Sequence, residues 1–563
     1  MGQQDGGKPE SREDLAKGSS GNFQSERWQL CRLAAMVLAG TAALAAQTGA
    51  SYDVVVYGGT AGGILTAVSA ARMGLKSALL EPGRHIGGMV ASGLSHTDVG
   101  RREVIGGYSL EFYWRAGTYY GLPQYLQDIA WYVEPKVAGS IFQAMLQVAG
   151  VTVLTGRRLR EKDGVRMEGG RVASIRMENG DQFTARVFAD ATYEGDLMAA
   201  SGVTYTWGRE SQDQYGESLA GVRGETPKHQ FLVDISPYGA DGKLLPEISA
   251  APAGPPGSAD RKVQAYNFRM IFSEEPANQV PYPKPEHYDP ARYELMRRLM
   301  ARQPGLRMGD VLSIGPIPHR KADINNNGPF STDYIGRSWD FPEGNYARRE
   351  QIFRDHEEYT KGLLWFLAHD SGVPPALKAE INQWGLAKDE FTDHGNFPWQ
   401  LYIREARRMV GEYVMTQKDI QTDLSKPDAI GMGSYNSDSH NVERVVNAAG
   451  FVRNEGDMQV PVKPYQIPYR ILVPKRGQAA NLLVPVCFSA SHVAYSTLRM
   501  EPQYMILGRA AGVAAALAIR AGTSVQDVDT RELTRILVSQ GAILEYTPSA
   551  QEKALAILRA RRK

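Results

Sequence analysis

Tyr52 to Pro82 reads as strand, tight turn, helix and strand, and no other segment constrains the fold as strongly. Val54, Val55 and Val56 are the β-branched apolar run of a buried parallel strand. Gly58, Gly59, Thr60, Ala61, Gly62 and Gly63 form the turn, and Ile64, Leu65, Val68 and Ala71 give the next helix its apolar face. Ser77 to Leu80 is the second strand, ending at Glu81. Glycines let a backbone approach a pyrophosphate closely, and a helix N-terminus aims free N–H groups and a positive dipole end at it. Glu81 stands 23 residues after Gly58. An acid at about 20 residues can accept hydrogen bonds from an adenosine ribose. The turn departs from the GxGxxG spacing at its second position, where Thr60 replaces glycine. The segment implies an adenine dinucleotide site; the plain alternative is a tight strand–helix turn in a nonbinding α/β protein.

Composition narrows the chemistry. Lys and Arg total 63 against 62 for Asp and Glu, so no basic footprint for nucleic acid or an anionic membrane is expected. Two cysteines, Cys31 and Cys487, cannot build a disulfide framework, a zinc cluster or a cysteine-bound iron–sulfur cluster. Ahead of the first strand, residues 1–26 are polar, and Arg27 and Arg32 precede the 14-residue apolar run Leu33 to Ala46. That run is shorter than the ~20 residues of a membrane span. With small residues at Ala43 and Ala45 it reads as a bacterial secretory signal peptide, which predicts a periplasmic or extracellular protein without a stable membrane span.

Three further segments bear on the nucleotide. Gly87-Gly88-Met89 follows the acidic residue. The strand Val187 to Ala191 leads into Asp190-Ala191-Thr192-Tyr193-Glu194-Gly195-Asp196. Near the C-terminus come NLLVPVCFSASHVAYSTLRMEP and a small-residue helix expected to follow Gly508. Together they resemble the FAD-dependent oxidoreductase family of the glutathione-reductase-like class. The resemblance runs from Tyr52 to about Ala521, and some members of the similar bacterial branch carry the label xanthan lyase. It implies bound FAD and an α/β fold: a discontinuous Rossmann-like FAD-binding domain with an inserted α+β substrate or cap domain. The expected layout is a disordered N-terminus and signal over 1–50, FAD-binding parts over 52–205 and 462–525, a cap over 206–461 and a helical tail over 526–563. FAD contacts are expected at Gly58 to Gly63, Glu81, Gly87, Gly88, Met89, Asp190, Gly195, Asp196 and Gly508.

No second glycine fingerprint and no Cys-x-x-x-x-Cys pair is present, so direct hydride transfer between substrate and flavin is expected. Electrons would then leave to oxygen, a quinone or another acceptor. His492 and His440 are the candidate bases. Arg404, Arg407 and Arg408, on a helix predicted to start near Trp399, form a candidate clamp for a carboxylate or polyol, with pairing to Glu405 or Glu412 as the structural reading. Arg499 and Glu501 read as an ion pair. Asp323 to Gly328 matches the opening of a calcium loop, but the twelfth position is Tyr334, so no metal is expected; Lys321 beside it is expected to line the substrate side. The leading expectation is oxidation or reduction of a small polar metabolite, such as a sugar or hydroxy compound. A polysaccharide lyase or hydrolase on a flavoprotein-like fold, and a noncatalytic FAD-binding protein, remain the alternatives.

Sequencing the N-terminus of the protein recovered from its native cell should show that about the first 45 residues are gone. An intact Met1 or Met36 terminus in a cytosolic fraction would refute export.

Overall fold

The computed structural model describes residues 48–125 and 127–549. The signal-peptide reading and the end of the C-terminal tail fall outside the described residues.

The first sheet is built around the segment singled out above. β1 (Thr48–Tyr57) leads through the turn into α1 (Ala61–Arg72) and back to β2 (Ser77–Leu80). α2 (Pro135–Ala149) then crosses over to β3 (Thr152–Leu154), and β4 (Val165–Glu168), β5 (Arg171–Arg176) and β6 (Gln182–Asp190) complete the local order. In space the strands run β3-β2-β1-β6-β5-β4, and the short strand Leu482–Leu483 also pairs with β6. The β3, β2, β1, β6 and Leu482–Leu483 pairings are parallel, as strands joined through helices require. Val54, Val55 and Val56 are wholly buried, as a strand covered on both faces demands. Register decides what meets what: Tyr57 lies opposite Asp190, so the turn after β1 and the chain leaving β6 emerge side by side.

The second sheet is antiparallel and comes from the middle of the chain. Its strands are β7 (Met270–Ser273), β8 (Gln279–Val280), β9 (Leu312–Ile317), β10 (Lys321–Asn326) and β11 (Gly385–Ala387), in the order β9-β10-β7-β11-β8. α3 (Tyr346–His369) packs Phe353 edge-on against Phe268, just ahead of β7. β10 contains Asp323 to Asn326, the first four of the residues that resembled a calcium loop. There Asp323 accepts two hydrogen bonds from the Arg269 guanidinium, at 2.8 and 2.7 Å, and two from the backbone of Ser95 and His96. Lys321, expected to line the substrate side, is instead buried among Glu134, Asp389 and Glu390.

α4 (Glu501–Ala521) returns the chain to the first sheet. It has the length and apolarity of a membrane span, yet it is a core helix buried against its neighbours. It packs along α1 by backbone contact. A Cβ on Gly508 would lie 2.0 Å from the Gly62 carbonyl oxygen, and one on Gly512 would lie 2.4 Å from that of Thr66. Gly508, expected before this helix and at the cofactor, therefore sits inside it. Its missing side chain admits α1. Ser69 Oγ ties the two helices by donating to the Arg509 carbonyl at 2.9 Å.

Replacing Gly512 with valine should force α1 and α4 apart. Overpacking of this kind costs typically ~1–3 kcal/mol, and an urea midpoint equal to that of the parent would show that the close contact is dispensable.

Candidate functional site

The site begins with backbone that only glycine can supply. Gly58 has φ +105°, and a Cβ there would sit 2.6 Å from Ala191 C and Thr192 N. A Cβ on Gly63 would fall 1.9 Å from the Gly58 carbonyl oxygen. Thr60 does not interrupt this arrangement. It caps α1, its hydroxyl accepting from Gly63 N–H at 3.1 Å and donating to the Ala191 carbonyl at 2.7 Å. One side chain thereby pins the turn to the end of β6. The N–H groups of Ala61 and Gly62 lie in the first turn of α1, where a helix has no internal acceptors for them.

The second glycine pair closes onto the first. Gly87 N–H donates to the Gly59 carbonyl at 2.7 Å, and Gly88 leaves room for the Tyr193 hydroxyl, which a Cβ would approach to 2.4 Å. Met89 N–H donates to that hydroxyl at 3.0 Å. Glu81 accepts from Gly59 N–H at 2.7 Å and Gly83 N–H at 2.6 Å. A carboxylate has about four acceptor positions, so roughly two remain for ligand hydroxyls. Burial pushes the Glu81 pKa up to about 7, against the pull of those two N–H donors. Asp190 is more fully used: it accepts from Thr192 N–H, Thr192 Oγ1 and Met198 N–H, and so shapes the turn after β6. Gly195, at φ +71°, starts the short helix Asp196–Ala200, and Asp196 holds both Arg349 and Arg407, at 2.8 and 2.7 Å.

A cavity of about 280 Å³ opens at this turn, lined by Gly58, Glu81, Gly88, Tyr193, Leu401 and Ile403 among others. The residues fit a dinucleotide: the cavity lies against Gly58 and Thr60 at the turn, and Glu81 in its lining keeps acceptor capacity.

The segment after Pro398 overturns one expectation. No helix forms near Trp399; the chain is irregular up to a two-residue strand, Arg408–Met409, paired with Tyr205–Thr206. Its N–H groups serve distant acceptors instead: Tyr402 donates to Asn267, Met409 to Cys487 and Val410 to Thr204. The three arginines diverge accordingly. Arg404 pairs with Asp333 at 3.2 Å, Arg407 with Asp196 and Glu343, and Arg408 with Glu405 and Glu210. Of the two pairings read from sequence, Glu405 takes Arg408, whereas Glu412 lies by Arg476. Arg499 pairs with Asp438 at 2.7 Å, not with Glu501, whose carboxylate accepts from Tyr193 Oη at 2.6 Å.

Both candidate bases are buried, in different surroundings. His440, expected in a polar loop, directly follows the buried strand Ser437–Ser439. Its Nδ1 is 2.6 Å from Asp333, and its Nε2 is 3.7 Å from Asp438. Burial and the Arg404 charge lower its pKa, but the two carboxylates outweigh them and raise it overall. His492 opens the helix His492–Leu498; its ring meets one carboxylate, Glu405, at 2.8 Å from Nδ1, while its backbone N–H donates to Glu210 at 2.9 Å. Burial alone would raise the Glu405 pKa; His492 and Arg408 reverse this and hold it down at about 2. Among the described residues His492 Nε2 has no hydrogen-bond partner. Gln264 joins the two groups, donating to Glu405 at 3.1 Å and accepting from His440 N–H at 3.0 Å. His492 does not line the cavity at the turn. Gln264, Asp333 and the bond from Glu405 to His492 carried no sequence signal, because nothing in spacing links residues 87 or more positions apart.

Gly58→Val should strip the protein of its nucleotide, since the new side chain collides with backbone at Ala191 and Thr192. Thr60→Val should destabilise the fold by ~1 kcal/mol through loss of the cap, while Thr60→Ser should behave as the parent. Bound-cofactor absorbance after gel filtration checks the first, thermal melts the second.

A family model described as FAD dependent oxidoreductase matches residues 53–537. No curated protein matches the chain. Among solved structures, a geranylgeranyl bacteriochlorophyll reductase-like protein from Thermoplasma acidophilum is 12% identical, covering 88% of this chain and 85% of its own at a TM-score of 0.32. NikD, an unusual amino acid oxidase essential for nikkomycin biosynthesis, is 17% identical over 29% of this chain at a TM-score of 0.20, and the chain spans 56% of its length. A flavoprotein/dehydrogenase from Cytophaga hutchinsonii is 15% identical over 27% of this chain and 42% of its own, at a TM-score of 0.20. Overlaps of this extent say nothing of a substrate.

Proposed function

The chain belongs to the FAD-dependent oxidoreductase family, and from that premise we propose that it oxidises the hydroxyl of a small polar metabolite by direct hydride transfer to the flavin. The cofactor is FAD, which accepts a hydride when bound. The Gly58–Gly63 turn, the first N–H groups of α1 and the spare acceptors of Glu81 would hold it.

The observation that carries this reading is the pair formed by His492 and Glu405. A carboxylate at Nδ1 fixes the tautomer with the proton on that nitrogen and leaves Nε2 as the base. His492 Nε2 would take the hydroxyl proton as the C–H bond of the same carbon yields its hydride, so that an alcohol becomes a carbonyl. His440 fits that role less well. Two carboxylates favour its protonated form, which suits it to binding an oxygen-rich substrate. Arg404 supports the same use: its Nε is buried and has no partner, which makes it a donor for a substrate oxygen. The Arg-flanked apolar run before residue 47 supports an exported site of action.

Anaerobic mixing with a panel of sugars, hydroxy acids and amines should bleach the flavin with one class. His492→Ala should keep its yellow colour and slow that bleaching by ~10²–10⁴, the usual cost of losing a general base. Glu405→Gln should slow it too, because an amide no longer enforces the tautomer. A His492→Ala variant reduced at the parent rate would make His492 structural, and release of unsaturated sugars without bleaching would favour a lyase.

A further inference from the structure

α1 and α4 run parallel, since Gly508 meets Gly62 and Gly512 meets Thr66. The seven residue steps from Gly508 back to Glu501 therefore carry the start of α4 about 10 Å beyond that contact, at ~1.5 Å per residue. They extend past the turn, on the side faced by the first N–H groups of α1. A ligand whose pyrophosphate rests on the turn has the rest of its length to place, and the N-terminus of a 21-residue helix lies in that direction.

At this helix end stands an acid with an unusual set of partners. Glu501 is 1% exposed. Its Oε1 accepts from Tyr193 Oη, and Tyr193 lines the cavity at the turn. Its Oε2 is buried without any hydrogen-bond partner, and no cation pairs with it among the described residues. An ionised carboxylate left so would be costly to bury. A neutral acid with a proton on Oε2 costs less and becomes a donor waiting for an acceptor. Burial does push the Glu501 pKa up to about 8, offset only by the Tyr193 bond. A neutral acid also leaves the positive end of the α4 dipole uncancelled.

We propose that Glu501, oriented by Tyr193, is a neutral hydrogen-bond donor to the polar edge of the bound flavin ring and stabilises its reduced form. The charge that the ring gains on reduction would then meet a donor, held by a buried side chain, and a helix N-terminus. This assignment is independent of His492, because it concerns how the flavin is held and not how the substrate loses its proton.

The test is the midpoint potential and the dissociation constant of FAD, measured on the flavin-loaded protein without substrate. Glu501→Gln keeps a neutral donor and should match the parent in both near pH 7. Glu501→Leu should weaken binding of reduced flavin about ten-fold more than that of oxidised flavin, which lowers a two-electron potential by ~30 mV. Tyr193→Phe, which removes the orienting hydroxyl, should shift it in the same direction and serves if the leucine variant does not fold. The parent potential should fall further as pH rises above 8 and Glu501 ionises, a bend that Glu501→Gln lacks. Unchanged potentials in both Glu501→Leu and Tyr193→Phe would overturn the assignment, as would a Glu501→Gln potential well away from that of the parent.

Discussion

Backbone-to-backbone contact at the end of β1 is the constraint on which the rest depends. Gly58 touches the chain leaving β6, Gly63 touches Gly58, and Gly62 touches Gly508 in α4. Two segments far away in sequence, the chain leaving β6 and α4, thus converge within contact of one six-residue turn, and none of those contacts tolerates a Cβ. Close packing of this kind is unforgiving, because interiors are dense and relax only partly around an intruding atom. Thr60 shows how such a turn can dispense with one glycine: its hydroxyl supplies both a helix cap and a tether to Ala191.

The same convergence explains why so many charges are buried nearby. Arg269, Arg404, Arg408 and Arg499 are all buried, and each has a carboxylate partner. Burying an ion is costly unless it is paired and hydrogen-bonded, and breaking one partner leaves the other stranded. These networks therefore act as a scaffold that holds side chains in single orientations. They also separate the two histidines by chemistry. Two facing carboxylates favour a charged His440, whereas one leaves a nitrogen of His492 open. Glu501 departs from the pairing rule: it is a buried acid beside a tyrosine with, among the described residues, no paired cation, and burial favours its neutral form.

Much of the first sheet was legible from residues alone. Three consecutive valines, a glycine turn, an apolar helical face and an acid 23 residues on are local features, and local geometry dictates their structure whatever surrounds them. The Gly87–Gly88 pair and the strand into Asp190 were singled out by the family resemblance, and the structure brings both beside the Gly58–Gly63 turn. What only the tertiary structure decided is where side chains without a periodic signature find partners. Trp399 to Arg408 looked helical by charge spacing, but its N–H groups and arginines are taken by distant acceptors, and such long-range bonds override propensity. Gly508 was expected ahead of the small-residue helix and instead lies within it, where its missing side chain admits the backbone of Gly62, a contact that carries no sequence signature. The pairings of His492 with Glu405, His440 with Asp333 and Glu501 with Tyr193 join residues 87, 107 and 308 positions apart. Chain entropy makes no such contact specific until the two sheets have formed around it.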